Sequence, residues 1–156
     1  MRVSRARIIQ ALVLAIVLGA AWLQSGREDA GNVGARPQPG PAGVELTRGL
    51  IDRAFERGQS NVLVTEQGRI VRLLEDDRDG ARHQRLIVEL DSGITVLIAH
   101  NVDLAPRVPD LRVGRPIVFH GEYEWNDRGG VIHWTHHDPE GVHEDGWLEY
   151  SGRRYQ

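Results

Sequence analysis

Two-residue alternation of apolar and polar side chains constrains this chain more than any other feature. In "HQRLIVELD", Leu86, Val88 and Leu90 fall on one face, and Arg85 and Glu89 on the other. In "LRVGRPIVFHGEYEW", Ile117, Phe119, Gly121, Tyr123 and Trp125 share a face, opposite Val118, His120, Glu122 and Glu124. A period of two belongs to a strand with one side buried. Turn formers punctuate the segments: Asp77–Gly80 ("DRDG"), "DSG", the proline-broken "APRVPD" and "NDRGG". Five strands result: "NVLVTEQGRIVRLLEDD", bent at Gly68, then "HQRLIVELD", "ITVLIAHNVDL", "LRVGRPIVFHGEYEW" and "VIHWTHH". Before them, Leu46, Leu50, Ile51, Ala54 and Phe55 have helical spacing, which predicts an amphipathic helix over 46–57. After them, "EDGWLEYSGRRY" predicts a hairpin around Ser151-Gly152, with Trp147 and Tyr150 capping one barrel end. The expected fold is mainly β: a small five-stranded OB-like barrel with one N-terminal amphipathic helix and a C-terminal hairpin. The proline loop stands where an OB-fold often places a helix between strands three and four.

An apolar N-terminal helix precedes this body. "MRVSRAR" carries Arg2, Arg5 and Arg7 and no acid, and "IIQALVLAIVLGAAWL" follows. A basic start before an apolar run is an export signature. The run is shorter than the roughly 20 residues a spanning helix prefers. Residues 1–23 therefore read as a signal peptide, cut near Gly19-Ala20-Ala21, or as a retained signal anchor with its arginines inside. Residues 24–44 are a Gly- and Pro-rich flexible linker, and 45–156 form the barrel domain. The body is expected across the inner membrane, on the periplasmic face, anchored or released, with the membrane as partner through the N-terminal segment. There is no cysteine. Disulfides, thiolate zinc sites and cysteine nucleophiles are excluded together. The net charge is −3; without the three leading arginines the remainder stands at −3 − 3 = −6. Such a balance does not favour broad nucleic-acid binding, which requires phosphate neutralisation.

The seven histidines all lie in the second half, three of them in "VIHWTHHDP". A hairpin closed between Trp125 and Gly130 pairs Glu124 with Val131, Glu122 with His133, His120 with Thr135 and Val118 with His137. The buried pattern favours this register. It turns Trp125 and Trp134 inward and gathers His120, Glu122, Glu124, His133 and His137 on the outer face. From these the candidate metal set is His120, Glu122, His133 and His137. No motif specifies a cofactor, but the donor types suit a divalent transition metal. A second candidate group lies at the barrel rim, where strands three and five run parallel: His100, Asn101, His136 and Asp138. The plainer readings stand beside these. Cross-strand His–Glu pairs stabilise sheets by roughly 0.2–1 kcal/mol with no metal involved. There is no H-E-x-x-H and no Gly-rich phosphate loop. His100 is expected to cap the "NVDLAP" turn, His83 to lie by the opposite turn, and His143 to be solvated.

"RHQRLIVELDSG", "IAHNVDLAP", "GEYEWN", "GGVIHWTHHDP" and "GWLEY-G-RY" together resemble a bacterial family of exported small proteins, domain-of-unknown-function family 3465. The resemblance covers residues 55–156 and implies no activity and no catalytic residue. The functional expectation is an exported, membrane-tethered OB-like module that binds a ligand or protein partner. The alternative is a metal-dependent hydrolase, nuclease- or phosphoesterase-like, working through the His/Glu cluster. A pH sensor built on the histidines is a third reading.

Overall fold

A computed structural model describes residues 46–77 and 80–156, and within them the alternating segments pair as strands. The expectations for residues 1–23 and 24–44 lie outside the described residues. Among the described residues no helix is long and apolar enough to cross a membrane. The elements are α1 (Leu50–Glu56), β1 (Val62–Leu73), β2 (His83–Glu89), β3 (Thr95–Asn101), β4 (Pro116–Glu124), β5 (Val131–His133), β6 (Trp147–Tyr150) and β7 (Arg153–Tyr155).

The strand order β1-β2-β3-β5-β4 closes on itself through a β1–β4 pairing. Strands β3 and β5 are parallel, and the other neighbours are antiparallel. This is the closed five-stranded OB-like barrel expected from the alternation. Residues 102–115 run from β3 to β4 without a helix. The terminal hairpin forms β6 and β7 around Ser151 and Gly152, both at positive φ. The inward set of the alternation builds the core: Ile70, Leu86, Ile98, Phe119, Tyr123 and Ile132 are all fully buried.

Strand β1 serves two partners. Val62–Arg69 pairs with β4, and Arg69–Leu73 with β2. At the changeover the backbones come very close. A Cβ on Gly68 would lie 2.4 Å from Val88 Cγ1 and 2.6 Å from the Glu89 carbonyl oxygen, so only glycine fits. The irregularity that bends the strand lies just beyond, between Ile70 and Arg72.

Three expectations need correction. The helix begins at Leu50 rather than Leu46, because Thr47 is held to β1: Thr65 donates its backbone N–H to Thr47 Oγ1 at 2.9 Å, and Thr47 N–H donates to the Thr65 carbonyl at 2.7 Å. Gly49, at φ 71°, then turns the chain into the helix. The β4–β5 register is as expected for Glu124–Val131 and Glu122–His133, but β5 ends there. His120 pairs with Trp147, and Val118 with Glu149, both on β6. Trp134 adopts φ 55°, which takes it off the inward face and ends the ladder. Trp125 is also not inward. It is half-exposed and its indole N–H donates to the Phe55 carbonyl at 3.1 Å.

Glu66 is buried in the company of Phe119, with one carboxyl oxygen lacking a hydrogen bond. Burial raises its pKa from 4.5 to about 7, against the opposing pull of the Leu50 and Ile51 backbone N–H groups. A carboxyl raised in the folded state contributes stability that is complete below pH 4.5 and is lost as pH rises through about 7. The Glu66→Gln variant is expected to lack that loss. Thermal midpoints of variant and parent should match near pH 5 and diverge in the variant's favour by pH 8.

Candidate metal centre

The outer face of β4 and β5 carries two carboxylates and an imidazole. Alternation along β4 sends Glu122 and Glu124 outward, and the register sets His133 directly opposite Glu122. One donor atom from each of the three lies within 4.8 Å of the others. His133 Nε2 stands 3.9 Å from Glu122 Oε1 and 3.9 Å from Glu124 Oε1. The His133 side chain is 10% exposed, and Nε2 is buried with no hydrogen bond. A hydrogen bond to a carboxylate would draw the atoms to roughly 2.7–2.9 Å. The spacing here is too long for that. It suits donors that share an ion: metal bonds of roughly 2.0–2.2 Å put neighbouring ligands of a tetrahedral site about 3.4 Å apart.

Residues 134–146 cover this face, and their carboxylates organise the segment. Asp138 accepts from the backbone N–H groups of Glu140, Val142 and His143 at 3.0, 2.6 and 2.8 Å. Those N–H groups, His143's foremost, hold its pKa below the ordinary carboxylate value. Asp145 accepts from the Asp138 N–H at 2.8 Å, and its other oxygen lies 2.7 Å from His137 Nδ1. These contacts lower its pKa in the same way. The result brings His143 over the site. Its ring stacks on Trp134 with centroids 3.8 Å apart, and its Nδ1 is 3.8 Å from Glu122 Oε2.

The sequence-derived candidates divide. Glu122 and His133 come together. His120 is turned elsewhere: Nδ1 is 2.7 Å from Thr65 Oγ1, Nε2 is 3.6 Å from Glu144 Oε1, and the ring stacks on Trp147. Burial lowers its pKa. His137 is exposed and paired with Asp145. Glu124 and His143 stand in their places. Glu124 was legible, being two residues from Glu122 on the same face. His143 was not, because the irregular chain of residues 134–142 separates it from β5.

The four rim residues each have their own hydrogen-bond partners. His100 is fully buried. Its Nδ1 is 2.9 Å from Thr135 Oγ1, and its Nε2 is 3.2 Å from the Pro106 carbonyl. A carbonyl only accepts, so Nε2 carries the proton and Nδ1 accepts from the threonine. His100 thus caps the turn after β3, as expected. Asn101 Oδ1 accepts from the Asp103 N–H in the same turn. His136 is buried with its Nδ1 2.7 Å from the His137 carbonyl, and Asp138 shapes the loop. His83 pairs with Asn101 and so lies at this rim, not by the opposite turn. An antiparallel neighbour begins where β3 ends.

One family model matches the chain, over residues 44–156, with the description "Protein of unknown function (DUF3465)". No curated protein matches it.

Burial lowers the His100 pKa from 6.5 to about 4. A histidine depressed in the folded state contributes stability present above pH 6.5 and lost as pH falls toward 4. His100→Leu is expected to cost about 1–3 kcal/mol near pH 7.5, by orphaning the Pro106 carbonyl and the Thr135 hydroxyl. It should also flatten the acid loss between those two pH values. Urea unfolding at pH 7.5, 6 and 4.5 reads both effects.

Proposed function

Since the chain belongs to the DUF3465 family of proteins of unknown function, whose membership names no activity, we propose its function from the site: an exported OB-like binding module whose ligand is a divalent transition-metal ion. The ion is held by Glu122, Glu124 and His133 on the outer face of β4 and β5. The observation that carries this reading is His133 Nε2, a buried nitrogen without a hydrogen bond, equidistant at 3.9 Å from two carboxylate oxygens. An imidazole with two carboxylates is a donor set for zinc, manganese, iron or nickel rather than for a soft monovalent ion. Export rests on the basic start and apolar run of residues 1–23, whether that segment is cleaved or retained as a membrane anchor.

Binding is preferred to catalysis because His133 is nearly enclosed. A second reading, hydrolysis of a phosphoester at the same ion, draws on the count of ligands. Three protein donors leave coordination positions for water, which a bound metal acidifies to a pKa of roughly 7.

Full-length protein without a histidine tag should carry near-stoichiometric metal after exposure to zinc, manganese and nickel, measured by mass spectrometry. His133→Ala and Glu122→Gln should each lose it while keeping the β-rich circular dichroism spectrum. An intact parent that retains no metal under these conditions would sink the reading. Turnover of an aryl phosphodiester by the loaded parent, absent in His133→Ala, would move the assignment to the hydrolase.

A further inference from the structure

Two imidazoles flank the Glu122 carboxylate, one on each oxygen. His133 Nε2 faces Oε1 at 3.9 Å, and His143 Nδ1 faces Oε2 at 3.8 Å. We propose that His143 is a ligand of the same ion, so that the site is completed by the 134–146 segment and selects a transition metal over magnesium or calcium. This rests on the metal-binding reading above and adds the identity of a further ligand and the basis of selectivity.

The geometry that supports it is local and well anchored. Trp134 follows His133 directly, and its left-handed backbone turns the chain so that its indole contacts both imidazoles. Ring centroids are 6.0 Å apart for His133 and 3.8 Å for His143, the latter stacked at 21°. The His143 backbone is pinned by its N–H bond to Asp138 Oδ2. The imidazole is thus held over Glu122 by a stack on one side and a main-chain anchor behind. Each nitrogen is within a few tenths of an ångström of the roughly 3.4 Å edge of a tetrahedral site from its own Glu122 oxygen. His143 lies outside the three donors that are all within 4.8 Å of one another, so sharing one ion draws its ring inward toward His133 and Glu124. Hydrogen bonding within the segment occupies the carboxylates of Asp138 and Asp145.

The donor chemistry then sets selectivity. Magnesium and calcium take oxygen ligands and, for magnesium, retain water. Two imidazoles beside two carboxylates give an N2O2 set, which favours zinc, cobalt, nickel and copper. A site of Glu122 and Glu124 with His133 alone discriminates less.

The test uses full-length protein and two ions, zinc by competition titration and cobalt as a spectroscopic reporter. Four-coordinate cobalt absorbs in the visible far more strongly than six-coordinate cobalt, so its spectrum reports ligand number. Three variants separate ligation from packing. His143→Ala removes both the nitrogen and the stack. His143→Phe keeps a ring on Trp134 and removes the nitrogen alone. His133→Ala removes the ligand of the underlying reading. In both His143 variants, zinc affinity is expected to fall by about 10–100-fold or more, since even groups that only orient a metal ligand carry that much. The cobalt spectrum should weaken toward the six-coordinate form, and the advantage of zinc over magnesium should shrink. Thermal midpoints of the metal-free variants control for folding. If the parent binds zinc and His143→Phe binds it equally with an unchanged cobalt spectrum, His143 is a packing residue. In that case this inference fails while the metal-binding reading stands. If the parent and His133→Ala both fail to bind either ion, the underlying reading fails and takes this inference with it.

Discussion

A single twelve-residue strand closes this barrel. Strand β1 lends its first half to β4 and its second half to β2, and this second pairing turns the five-stranded sheet into a closed barrel. The close passage over Gly68 allows the changeover. Once β1 is shared, β4 has a fixed partner on one side and an open edge on the other. That open edge is where β5 and then β6 dock, and where the candidate metal centre lies.

The edge is divided by a second close crossing. A Cβ on Gly121 would lie 2.4 Å from the His133 carbonyl and 3.0 Å from Thr135 Cγ2. The chain therefore passes directly over β4 as it leaves β5, and Trp134 takes the left-handed conformation that makes the turn. Thr135 is thereby carried inside to meet His100. His133 is left on the outside as the last ladder residue. The rest of β4 is freed for Trp147 and Glu149 of β6. Gly146 is forced by the same economy of space: a Cβ there would meet the Trp134 carbonyl at 1.8 Å and the His120 carbonyl at 2.7 Å. One backbone reversal thus separates the buried histidine of the rim from the histidine of the candidate metal centre.

The two histidine environments differ in what satisfies them. At the rim, His100 has a partner on each nitrogen and burial holds it neutral, so it is a structural bolt between β3, its turn and the residues after β5. On the outer face, His133 Nε2 has carboxylates in front of it and a hydrogen bond to neither. Buried polar atoms in folded proteins are satisfied with few exceptions. An exception aimed at two acids, with a second imidazole close by, has a direct explanation in a shared cation.

The sequence by itself determined the barrel, the hairpin at Ser151-Gly152, and the pairing of Glu122 with His133. Each follows from local rules: period-two burial, turn residues, and a register that a buried face cannot shift without turning itself out. Glu124 was within reach of the same rule. Tertiary structure alone decided where β5 stops, because the stop depends on the space above Gly121 and on Thr135 finding His100. Extending the alternation past His133 placed His120 and His137 in the site, whereas the backbone reversal at Trp134 sends His120 to Thr65 and Glu144, and His137 to Asp145. It likewise brought His143 back over Glu122. That return is set by the main-chain bonds to Asp138 and the stack on Trp134, contacts with no periodicity for a sequence pattern to carry.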